Sequence, residues 1–196
     1  MIWMNEGNNV LWTHDVNKIQ SGDFCFLLSC GQIISNKLLS RNKHNLVVHE
    51  SDLPHGKGWS PLSWQILEGK NEIPIVLFEA TSSVDSGNIY IKEIMSFNGT
   101  ELVDELRQVQ ATHTISMCLK FIRDYPSILS SAHPQSGEAT YYRKRTAKDS
   151  RIDPKVSIID QFNLLRIVDN ERYPAFFEYL GEKYVLHIEK VKRNEI

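Results

Sequence analysis

The stretch "HNLVVHESDLPHGKGWSPLSWQILEG", residues His44 to Gly69, decides how the rest of the chain is read. A short apolar run ends on His49, and Glu50, Ser51, Asp52 and Pro54 follow at once. A glycine-spaced basic segment comes next, and then Ser60-Pro61 opens a helix that Gly69 can cap. Brief apolar runs bounded by turn residues read as buried strands. Parallel α/β sheets gather ligands at the carboxyl ends of their strands, where His49 would sit. A lone histidine there can also be a satisfied structural group, so its surroundings must decide.

Outward from this stretch, strands and helices alternate. "NVLWTH" (Asn9 to His14) and "DFCFLLSC" (Asp23 to Cys30) read as strands, and "SNKLLSR" as a short helix before "NLVVH". Strands are also expected at "IPIVLFEA" (Ile73 to Ala80) and "NIYIKEIMSF" (Asn88 to Phe97), around the loop "TSSVDSG". Leu102, Leu106, Val109, Ile115, Leu119 and Ile122 form an apolar stripe at helical spacing, with Thr100 as the expected N-cap and Pro126 as the stop. A turn-rich polar segment leads to a second helix, "SIIDQFNLLRIV", and "AFFEYL" with "KYVLHIEKV" closes the chain as a hairpin. The division is 1–130 as the main domain, 131–158 as a connector, and 159–196 as a helix and β-hairpin appendage.

Composition sets the class. The chain has 196 residues, 41% apolar and 23% charged, with a net charge of -2. That is ordinary for a globular domain and supplies no general attraction to nucleic acid. Three cysteines lack metal or redox spacing, and no histidine pair has ligand spacing, so no metal site is expected. The longest apolar run is too short to span a bilayer, and the N-terminus lacks signal-peptide character; the expected location is cytoplasmic, without a membrane partner.

The run "VHESDLPHGKGWSP" resembles the signature of the folate-dependent formyltransferases, Asn-x-His-x-Ser-x-Leu-Pro followed by Gly and Pro; His49, Ser51, Leu53, Pro54, Gly58 and Pro61 fall in register. "VDSGNIY" supplies the family's Asp-x-Gly loop with Asp85 and Gly87, and "SCGQII" its glycine-bearing strand end. "RTAKDSRID" and "FNLLRIVDNERYPAFF" are similar to stretches of sugar N-formyltransferases, nearest to those of pseudaminic-acid-type pathways. The resemblance implies an α/β fold with a Rossmann-like, mostly parallel sheet, N-terminally short, and a small C-terminal β-hairpin.

It also implies a reaction: a formyl group passes from 10-formyltetrahydrofolate, as co-substrate, to the primary amine of a nucleotide-linked amino sugar, with a UDP-linked 4-amino-4,6-dideoxy hexose as the expected acceptor. Charge develops on the formyl oxygen, which needs a donor, and the amine needs a base. His49 would donate and pass protons, and Asp85 would orient the imidazole. The family's Asn two residues before the histidine is here Val47, which cannot donate. Asn45 shares its strand face, about 7 Å further back, and is either a catalytic substitute or a structural residue. A second departure is that "NVLWTH" is reached after eight residues, so one βα unit of the family pattern is expected to be missing.

For the pterin, the resemblance points to Gly31, Gln32, Ile33, Ala80 and Val84, although Gly31 also suits an ordinary tight turn. Ser51, Lys57 and Trp59 are candidate substrate contacts, against a solvated lysine and a packed tryptophan. The cation-rich "YYRKRTAKDSR" suits a diphosphate or a solvated face. Two other readings stay open. One is a formyltransferase acting on methionyl-tRNA or another amine. The other is a catalytically reduced binding module, supported by Val47. The partner expected is a small nucleotide sugar, not a nucleic acid, and the appendage is compatible with a homodimer.

Overall fold

In a computed structural model, residues 2–5 and 7–191 are described. The elements run α1 (Ile2–Asn5), β1 (Gly22–Leu27), α2 (Asn36–Leu39), β2 (Asn42–His49), β3 (Lys57–Gly58) and α3 (Pro61–Leu67). They continue with β4 (Glu72–Glu79), β5 (Ile89–Ser96), α4 (Val103–Arg123), β6 (Tyr141–Tyr142), α5 (Phe162–Ile167), β7 (Ala175–Tyr179) and β8 (Glu182–Leu186).

The central sheet has the order β1-β2-β4-β5. Its class is the expected α/β, with the small antiparallel hairpin β7–β8 at the C-terminal end. The pairing is mixed, where a mostly parallel sheet was expected. Only β1 and β2 run parallel; β4 is antiparallel to both β2 and β5. Connection length explains this. Residues 80–88 between β4 and β5 are too few for a crossover, which takes a dozen or more. The 50–71 connection spends its length on β3 and α3, and β4 returns beside β2 with His49 opposite Val76.

One face of the sheet carries the main core. Leu46 and Val48 of β2, Ile73, Ile75 and Leu77 of β4, and Ile91 and Met95 of β5 pack against Leu106, Met117, Cys118 and Phe121 of α4. These strand positions alternate, as a pleated sheet requires when one face is buried. The other face holds a smaller cluster of Val47, Leu53, Val76, Phe78 and Ile89.

Three further expectations are revised. Asn9 to His14 forms no strand: Trp12 is 74% exposed and its indole Nε1 donates to His14 Nε2. With no neighbouring strand to receive its backbone groups, the segment has nothing to pair with. α4 starts at Val103 rather than after Thr100, because Glu101 folds back to accept from the N–H groups of Asn98 and Gly99, and Glu105 accepts from Leu102 N–H. The second long helix shortens to α5.

Residues 131–158 do more than connect. β6 pairs in parallel with β3, and Thr140 Oγ1 accepts from Gly56 N–H at 2.8 Å. α5 is fastened to the main body by Arg166, 1% exposed, whose guanidinium donates to the Glu101 carboxylate and carbonyl, and to Asn71. A buried charge of this kind is tolerated because every direction is filled by an acceptor.

Candidate active site

His49 ends β2 on the less covered face and is 6% exposed. Its Nε2 lies 2.8 Å from the Gly56 carbonyl. A carbonyl only accepts, so Nε2 carries the hydrogen and Nδ1 is left for other use. Gly56 can receive it because its backbone is left-handed (φ 73°), and an added Cβ would stand 2.8 Å from the Tyr142 ring.

Asp85 reaches the same turn from the loop after β4. Its Oδ2 accepts from Gly58 N–H at 2.9 Å. Its own backbone is left-handed, φ 48°, a conformation that aspartate tolerates better than most residues. Gly87 makes the loop possible: a Cβ there would sit 1.6 Å from the Glu79 carbonyl oxygen. Gln135 Nε2 ties the loop down by donating to the carbonyls of Asp85 and Gly87, at 3.0 Å each. Asp85 and His49 therefore meet through the 56–58 turn; among the described residues no hydrogen bond joins them directly.

The other sequence candidates fall as follows. Val47 is packed with Leu53, Val76 and Phe78 and offers no donor. Asn45 is buried and its amide donates to the Leu39 carbonyl at 2.9 Å, tying β2 to the end of α2. Ser51 is buried beside Gly56, and its hydroxyl has no partner. Lys57 lies in β3, 7% exposed, rather than on a loop reaching outward. Trp59 is half-exposed, lies against Gly31, and carries Lys144 Nζ 4.8 Å above its ring. Gly31 and Gln32 are exposed, as is Ile33 at 77%, and Val84 on the Asp85 loop is exposed too. Ala80 is held to β2 by donating its N–H to the Asn45 carbonyl.

Sequence reasoning passed over Glu50. Its Oε1 accepts from Gln110 Nε2 of α4 at 2.6 Å, and its carbonyl accepts from Gln65. Burial pushes its carboxyl above the usual carboxylate range; the nearby charge of Asp85 adds to this, and His49 and Gln110 oppose it. The signal available was an acid directly after the strand-end histidine, and a glutamine beside Leu106 and Val109 on the packed side of α4. Thr140 and Tyr142 had no signal, because only the β3–β6 pairing brings them to the turn.

A profile of the formyl transferase family matches residues 13–119, more than half of the chain. The chain belongs to that family, whose members are folate-dependent formyl-transfer enzymes. Among solved structures, a methionyl-tRNA formyltransferase from Clostridium thermocellum superposes with a TM-score of 0.67 at 23% identity, over 86% of this chain and 73% of that one. A sugar N-formyltransferase from a Shewanella species gives 0.65 at 16% identity, over 87% and 71%. HypX from Aquifex aeolicus, solved with tetrahydrofolic acid, gives 0.62 at 16% identity, over 84% of this chain and 28% of that one. At these identities the likeness is one of fold.

Two orphaned buried polar atoms lie beside the turn to which His49 and Asp85 are bonded, Ser51 Oγ against Gly56 and Gln135 Oε1 at the Asp85 loop. Buried polar atoms normally have partners, so this is a place for a polar ligand. Exposed Ile33 and Val84 offer apolar contacts on the two loops where the family resemblance leads one to expect the pterin. The residues present fit a folate. Among the described residues no group of three or more His, Cys, Asp and Glu could hold a metal ion, and no helix is long and apolar enough to cross a membrane.

Proposed function

We propose that this protein transfers the formyl group of 10-formyltetrahydrofolate to the primary amine of a nucleotide-linked amino sugar, with a UDP-linked 4-amino-4,6-dideoxy hexose as acceptor. The observation that carries this reading is the pinning of His49 and Asp85 to one turn, by hydrogen bonds to Gly56 and Gly58. Fixed donors act on developing charge without reorganising during the reaction. With Nε2 engaged by Gly56, Nδ1 is the ring atom left to exchange a proton with the reacting groups. Asp85 sets the turn by accepting from Gly58 N–H.

Val47 removes one oxyanion donor relative to the family pattern, a loss of roughly a hundredfold to a thousandfold in rate. Asn45 is committed to Leu39, so its part in this reading is to position β2, and the remaining donor is a backbone N–H of the turn after His49. Gly31, Gln32, Ile33, Ala80 and Val84 border the folate; of the substrate candidates Trp59 lies on the acceptor side, while Ser51 and Lys57 are buried at the 56–58 turn.

The test is to incubate the protein with formyltetrahydrofolate and a panel of nucleotide-linked amino sugars, following tetrahydrofolate release. We expect release that His49→Ala reduces by about 100-fold to 10,000-fold, the range for a general acid–base group. No release from wild type with any acceptor, or a rate that His49→Ala leaves unchanged, overturns the reading.

A further inference from the structure

On the α4 side of the His49 turn, a cleft of about 320 Å³ opens between Trp59, the first half of α4 and the segment around 144–150. Glu50 lines it together with Gln110, Lys144 and Arg145. This volume is at the lower end of the range for small-molecule sites. We propose that this cleft is the acceptor pocket, with Lys144 and Arg145 taking a diphosphate and Glu50 taking the proton that the attacking amine sheds. The inference rests on the formyltransferase reading and adds to it a base and a binding site outside the His49–Asp85 pair.

Three observations support it. Glu50 belongs to both places at once: it follows His49 in the chain, feels the charges of His49 and Asp85, and lines the cleft. Its carboxylate has one oxygen held by Gln110, which fixes the group's orientation. Burial makes it a stronger base than an exposed glutamate.

The cations are available as well. Arg107 is occupied by Asp169 at 2.8 Å and Arg143 by Asp149, whereas Arg145 Nε is buried without a partner and Lys144 rests over the Trp59 ring. Arg145 also donates from its terminal nitrogen to the Asp149 carbonyl at 3.2 Å, and its orphaned Nε–H suits a phosphate oxygen. Trp59 separates this cleft from Gly31, so donor and acceptor would approach from its two sides.

The step balances within the two substrates. The amine nitrogen bonds to the formyl carbon and gives one proton to the Glu50 carboxylate. The bond from that carbon to the folate nitrogen then breaks, and the nitrogen takes a proton by way of His49. The sum is a formamide and tetrahydrofolate, with Glu50 and His49 restored by proton return.

Two measurements on the full chain test this. In the first, UDP is titrated into the protein by calorimetry. Wild type should bind, and Lys144→Glu and Arg145→Ala should each weaken binding at least about tenfold, roughly 1.4 kcal/mol. Lys148→Ala, outside the cleft, should not weaken it. No binding, or equal binding by all four proteins, overturns the pocket.

In the second, kcat/KM against pH is compared for wild type and Glu50→Gln. The variant should lose about 100-fold and the acid limb of the profile, with KM for the folate donor unchanged. An unaltered profile overturns the role of Glu50 while formyl transfer stands. Failure of wild type to transfer formyl at all overturns the enzyme reading and Glu50 with it, and UDP binding then still judges the cleft by itself.

Discussion

The two faces of the central sheet are built differently. Under α4, Leu46, Ile75, Leu77, Met117 and Phe121 are wholly excluded from water and hold the sheet mainly by packing. On the opposite face, four buried apolar residues and Val47 underlie a roof of loops, and that roof is held by polar contacts to Gly56, Gly58, Asp85 and Gln135. The lesson is one of division of labour. A closed apolar core supplies stability but leaves no room for a polar ligand. A face roofed by turns leaves polar groups without partners, Ser51 Oγ and Gln135 Oε1, at the cost of packed area. His49 ends a strand anchored in the first face and is bonded to the roof of the second.

Breaking the packed face should cost most. Phe121 is fully buried among Phe24, His44, Tyr90 and Tyr125, so Phe121→Ala should lose about 3–5 kcal/mol, read as a fall in denaturation midpoint at unchanged slope. On the roofed face, Gly87→Ala should lower formyl transfer by at least about 100-fold, the scale of a displaced catalytic group, because its Cβ cannot share space with the Glu79 carbonyl oxygen. Circular dichroism of that variant should remain native; global unfolding would mean that the Asp85 loop is structural.

Val47→Asn sharpens the contrast further. Placing an amide in the Leu53–Val76–Phe78 cluster should destabilise by about 1–3 kcal/mol, yet turnover should rise, since a donor returns to the position two residues before His49. A fall in both stability and turnover would show that the cluster, and not the missing donor, governs that position.

The smallest effect concerns acid. N–H groups of Arg172 and Glu171 and the Arg107 guanidinium hold Asp169 down to about 2. A carboxyl depressed in the folded state stabilises above its unfolded value, so this contribution should fade as pH falls from about 4 to about 2. Asp169→Asn should flatten that part of the stability–pH curve.

Much of the architecture could be read from local pattern. The β2 apolar run and the C-terminal hairpin carry their own periodicity and form close to where it puts them; α4 forms where a helix was expected, but its buried face is Leu106, Met117, Cys118 and Phe121, and Ile115 of the expected stripe is exposed. Asn9 to His14 shows the limit: a strand-like run forms a strand only if a neighbour accepts its backbone, and local composition does not contain the neighbour. The candidate site divides in the same way. His49, Asp85 and Gly87 were visible because they fall in a spaced motif. Glu50, Gln110, Gln135 and Thr140 were not, since their importance lies in contacts with distant segments.

The sequence by itself therefore determined the family, the strand-end histidine, the aspartate loop and the loss of a donor at Val47, because these are properties of residue type and spacing along the chain. Only the tertiary structure decided that β4 runs back against β2, that Asn45 is spent on Leu39, and that Glu50 meets a cation-lined cleft. Each of those depends on which groups become neighbours after folding, and on which of them are left with an unfilled hydrogen bond.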